Sequence, residues 1–96
     1  MSRVGVWSLG HLPERARTLS NGGFHHRIGV VTDILDQTTM ILDGKLRVVL
    51  PGVDPSVIVG ARYEVRGWVS RSPKALRADW PWTLKLKDFS NRVRVY

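Results

Sequence analysis

The chain has 96 residues, enough for one domain with a modest core, and 43% apolar content, too high for a wholly disordered chain. No apolar run approaches the roughly 18 residues that span a bilayer, and zero cysteines exclude disulfides and thiolate metal sites. Fifteen Lys+Arg against eight Asp+Glu give a net charge of +7, with eleven arginines among the fifteen. That surplus points to a polyanionic partner, because guanidinium grips phosphate bidentately and stacks on bases.

Residues 1–23 read as an approach segment. It holds an apolar piece around Val4, Val6, Trp7 and Leu9, a possible helical turn over 13–17, and the turn signal Asn21-Gly22-Gly23. The N-terminus lacks the basic-then-apolar order of a signal peptide. The expectation is therefore an intracellular protein, nuclear in a eukaryote and cytoplasmic otherwise, without a membrane partner.

The globular domain spans 24–96. Residues 24–36 predict a long first strand, with Ile28, Val30, Thr32 and Ile34 on one face and Gly29 marking a bulge or coil. Asp36-Gln37 turns the chain into a second strand over 38–42. Asp43-Gly44 is a type I′ hairpin signal, and 45–50 returns as a third strand. Pro51-Gly52 stops it, and Asp54-Pro55 caps one predicted helical turn over 56–59.

A fourth strand follows over 61–70. Ala61, Tyr63, Val65, Gly67 and Val69 alternate with Arg62, Glu64, Arg66, Trp68 and Ser70. A side-chain period of two makes this one dry face and one face carrying two arginines and an indole. A basic loop over 70–74 leads to a fifth strand within 75–89, interrupted at Pro81, where Trp82, Leu84 and Leu86 share the apolar phase. Val93-Arg94-Val95-Tyr96 suggests an edge strand or a tail. Three meander strands, a connector and two further strands predict an all-β fold, a five-stranded Greek-key OB barrel, over an SH3-like barrel.

The residues Leu9 and Leu12, Arg27-Ile28-Gly29-Val30-Val31, Leu42-Asp43-Gly44-Lys45-Leu46 and Gly60-x-x-Tyr63-x-Val65-x-Gly67-Trp68-Val69 resemble the small single-domain OB proteins of single-stranded DNA maintenance. Over residues 9–70 the chain is similar to the smallest subunit of replication protein A and to the small Ten-type subunit of the CST telomere-capping complex. The resemblance implies a partnership with a larger OB subunit and help in holding single-stranded DNA. Those families carry a helix after the fifth strand, where this chain has the extended 93–96.

Candidate ligand residues follow from charge and aromaticity. If strands two to four share a sheet, Lys45, Arg47, Arg62, Arg66 and Trp68 project on one side, and a base stacks on Trp68 while phosphates meet the cations. Arg71, Lys74 and Arg77 form a second basic cluster, and Trp80 is a candidate platform beside the bend at Pro81. Trp7, Leu9, Val93, Val95 and Tyr96 are the candidate partner-binding residues, which also serve an alternative reading as a protein-interaction subunit with little nucleic-acid contact. An RNA- or ribosome-associated barrel is a further alternative.

No cofactor and no metal are expected. Adjacent His25 and His26 point to opposite faces of a strand, and His11 has no carboxylate at ligand spacing. Catalysis is not expected either, since no phosphate-cradling glycine loop or Ser/His/Asp order occurs and Asp33, Asp36 and Asp43 sit near turns.

Overall fold

A computed structural model of the chain describes residues 23–96. The approach segment, with Trp7 and Leu9, lies outside the described residues. Six strands follow in order: β1 (Gly23–Asp36), β2 (Thr39–Leu42), β3 (Leu46–Val49), β4 (Arg62–Arg71), β5 (Trp82–Lys85) and β6 (Arg92–Val95). The sheet runs β1-β2-β3-β5-β4, and β1 pairs with β4 to close it. The β3–β5 pair is parallel and the other pairings are antiparallel. This is a closed mixed five-stranded barrel with the strand order of the OB type. β6 adds to the half of β4 that β5 does not reach, pairing Arg62↔Val95 and Glu64↔Val93 where β5 pairs Trp68↔Lys85 and Ser70↔Thr83.

A single strand serves two neighbours because β1 bends. Its register shifts between Val31 and Asp33, and again between Ile34 and Asp36. Extra residues of this kind sharpen the local twist, which lets a sheet fold back on itself. Thr32 sits at the first bulge, and its hydroxyl accepts from Gly44 N at 2.8 Å, tying the bend to the β2–β3 hairpin.

Gly29 therefore does not mark the bulge. It marks a close approach: a Cβ there would lie 2.6 Å from Asp43 Oδ2, while Asp43 Oδ1 accepts from Val30 N at 3.0 Å. The inward phase of β1 is also the reverse of the expected apolar stripe. Gly29 and Val31 are buried, whereas Ile28 and Ile34 face outward. Pairing with β4 fixes this phase, since Gly29 lies opposite the buried Tyr63.

The core fills the barrel from alternate positions. Met40 and Leu42 come from β2, Leu46 and Val48 from β3, Tyr63, Val65 and Val69 from β4, and Leu84 from β5 with Leu86 beyond it. The hairpin turn has both central residues at positive φ, Asp43 at 54° and Gly44 at 68°, as a type I′ turn requires. Between β3 and β4 the expected turn after Pro55 is hydrogen-bonded but not helical. Val57 N donates to Asp54 O at 3.4 Å, and the Asp54 carboxylate accepts from Ser56 N and Oγ. Asp54 uses its side chain on its own loop, which competes with helix formation. The two short 3₁₀ turns lie later, at Lys74–Leu76 and Phe89–Asn91. Among the described residues no helix is long and apolar enough to cross a membrane.

Candidate nucleic-acid interface

The β4 alternation holds along the whole strand. Tyr63, Val65, Gly67 and Val69 are buried, and Arg62, Arg66, Trp68 and Ser70 are exposed with Glu64 half-buried. What the neighbouring strands bring to this outer face is set by register. Across β1, Phe24 lies opposite Trp68, His26 opposite Arg66, Ile28 opposite Glu64 and Val30 opposite Arg62. Across β5, Lys85 lies opposite Trp68.

The result is an aromatic pair on adjacent strands, Phe24 64% and Trp68 62% exposed. Side chains directly opposite in a ladder stand about 5 Å apart at Cβ. A hollow of about 300 Å³ beside them is lined by Phe24, Arg66, Gly67, Trp68, Lys85, Leu86, Lys87 and Asn91. Beneath it Gly67 lets β5 come close to β4, because an inward Cβ there would land on Lys85 O and Leu84 Cδ2. A second hollow of about 170 Å³, lined by Glu64, Arg66, Ser90, Asn91 and Val93, shares Arg66 and Asn91 with the first. Together they make one groove along the outer side of β4.

A carboxylate, a guanidinium and an imidazole meet at its middle. Glu64 Oε2 accepts from His26 Nε2 and, at 3.3 Å, from Arg66 NH2. Burial pushes the Glu64 carboxyl upward, but the hydrogen bond and charge of His26, with those of Arg66, outweigh it and hold it below its ordinary 4.5. Glu64 is therefore a fixed anion at neutral pH, and it orients Arg66 across the groove.

The other expected ligand residues are spread around the barrel. Arg62 shares the outer face of β4 but sits at its far end, opposite Val95. Lys45 is exposed at the end of the β2–β3 hairpin. Arg47 lies on β3, two strands from β4, where its guanidinium donates to Thr83 Oγ1 at 3.0 Å. Arg71 packs over the half-buried Trp82, 5.2 Å from the ring centroid. Lys74 begins the 3₁₀ turn after β4, and Arg77 Nε donates to Ser72 O at 3.1 Å. Trp80 is half-buried before β5 begins, its backbone N–H donating to Leu76 O at 2.9 Å, so it lies in the connection and not on a strand. Of the residues expected to share one side, the structure joins Arg62, Arg66 and Trp68 and leaves Lys45 and Arg47 elsewhere.

The expected partner-binding residues at the C-terminal end divide by face. Val93 is exposed and Val95 half-buried on the outer side of β6, and Tyr96 is 99% exposed. On the inner side, Arg94 stacks over Tyr63 at 5.9 Å and Tyr96 at 4.9 Å, and Arg92 joins Phe89 and the Asp54 carboxylate.

Phe24, Lys85, Lys87 and Asn91 belong to the groove and carried no separate signal in the sequence. Phe24 opens β1 and the two lysines alternate with Leu84 and Leu86, but only the register between β1, β4 and β5 shows that they converge. Among the described residues no group of three or more potential ligands is placed to hold a metal. Compared with known proteins, the chain matches no family model, no curated protein and no solved structure.

Proposed function

We propose that this chain is a non-catalytic OB-type barrel that binds single-stranded nucleic acid along the outer face of β4. The observation that carries this reading is the exposed Phe24–Trp68 pair, flanked by Arg66, Lys85 and Lys87, on a protein of net charge +7. Bases stack on the two rings, and the cations take the phosphates that link them. Base–aromatic stacking contributes about 1–3 kcal/mol per base and tolerates any sequence. The resemblance read from the sequence extends the proposal: DNA over RNA as the ligand, and a larger OB subunit as companion in genome or telomere maintenance.

Fluorescence anisotropy of a labelled single-stranded oligonucleotide tests it. Trp68→Ala and Phe24→Ala are expected to weaken binding by about 5- to 150-fold, the range of one lost stacking contact. Affinity unmoved by either substitution rejects the reading. A second reading, a protein-interaction subunit, is favoured by a different observation: among the described residues β6 ends the sheet, with Val93 and Tyr96 exposed. An open strand edge with apolar side chains accepts another chain's strand. Protein that stays monodisperse alone at high concentration argues against it.

A further inference from the structure

Glu64 has the wrong sign for a phosphate, yet it stands on the groove between Arg62 and Arg66 and lines the smaller hollow. Its contacts with His26 and Arg66 both fall on Oε2. A nucleic-acid strand laid along β4 must therefore present something other than its backbone here. Trp68 and Glu64 are four residues apart, about 13 Å along a strand that rises about 3.3 Å per residue. Arg66 stands midway, suited to the phosphate between a base on Trp68 and a base over the second hollow.

An ionised carboxylate is acceptor-only, so a base satisfies it with a donor. Cytosine and adenine offer an exocyclic amine at the edge of the ring, and guanine offers an amine beside a ring N–H. Thymine and uracil offer one ring N–H set between two carbonyl oxygens, which come up against the carboxylate with it. Asn91 completes the pattern. Its Oδ1 already accepts from Asp88 N at 2.9 Å, so the groups its amide has left to offer are N–H donors, and it lines the smaller hollow with Glu64. An acceptor at Glu64 beside a donor at Asn91 matches the amine and ring nitrogen of cytosine or adenine.

We infer that Glu64 makes this groove select bases that carry an exocyclic amine over thymine and uracil. The inference rests on the proposed single-strand binding, and the chemistry is that by which carboxylates read cytosine amines in duplex DNA.

The test compares oligo-dC with oligo-dT of equal length at one salt concentration, using the full chain and anisotropy. The expected result is oligo-dC bound about tenfold more tightly, the worth of one hydrogen bond to a charged group. In Glu64→Gln the ratio falls toward one, because an amide donates as well as accepts and no longer repels carbonyl oxygens. Trp68→Ala lowers both affinities and keeps the ratio. Equal binding of the two oligonucleotides by the unmodified chain overturns the inference while the proposed function stands. So does a Glu64→Gln variant that binds both more tightly by the same factor, which identifies the carboxylate as a mere repeller of backbone. Absence of binding to either oligonucleotide overturns both proposals.

Discussion

Gly67 is the smallest side chain on the buried face of β4, and it sets how near β5 lies beneath the groove. A methyl group there meets backbone on one side and the core Leu84 on the other, and backbone does not move aside cheaply. Gly67→Ala is expected to cost about 1–3 kcal/mol by overpacking, read as a lowered Tm with the two-state transition kept. Asp54 gives a prediction in pH. Its burial raises the carboxyl, and hydrogen bonds from Ser56 and Arg92 outweigh that and hold it below 3.8. A depressed folded value stabilises above the ordinary one and loses that contribution as pH falls through the folded value. The stability gap between the unmodified chain and Asp54→Asn should be full at neutral pH and close as pH drops below about 3.8. A gap that stays constant down to acid unfolding rules this account out.

β6 is the element whose removal is most informative. It covers the half of β4 that β5 leaves open, brings Arg94 over Tyr63, and supplies the cation that meets Asp54. Deleting 92–96 leaves a nearly buried carboxylate without its partner, a loss of about 3 kcal/mol or more. Denaturant unfolding should show it as a lower midpoint, while the outer face of β4 near Trp68 keeps its place through β1 and β5.

Elements were legible in the sequence to the degree that their own pattern decided them. The period of two in β4 and the Asp43-Gly44 turn are local facts, and both appear as expected. The phase of β1 was not local. Apolar residues occur on both its faces, and the choice between them belongs to the partner strand that places Gly29 against Tyr63. β5 is shorter than its apolar pattern suggests. Pro81 precedes it and the chain departs after Leu86 into the Phe89–Asn91 turn.

At the scale of the molecule, charge and closure act together. The barrel gathers Arg66 from β4, Lys85 from β5 and Lys87 from just beyond it beside one aromatic pair, while Arg47, Arg71 and Arg77 are turned to other parts of the surface. If three cations neutralise phosphates, log K falls with log salt at a slope of about −2, near 0.7 per phosphate on a single strand. Between about 50 and 200 mM salt, binding should weaken roughly 20-fold by that slope. Replacing Lys85 and Lys87 by Gln should reduce the slope by about 1.4. An unchanged slope moves the phosphate track to another face. This also shows why only part of the groove could be read from the chain. Composition announces a surplus of arginine, but contacts between residues such as Phe24 and Trp68, far apart along the backbone, exist only after the sheet closes.

The two bulges in β1 have a kinetic consequence. The strand is stitched to β4 over 23–30 and to β2 over 31–36, so its halves answer to different neighbours. Amide protons along it should not exchange with solvent as a single cohort. Those of the second half should follow the opening of the meander hairpin, and those of the first half the rarer event in which the cylinder itself unseams.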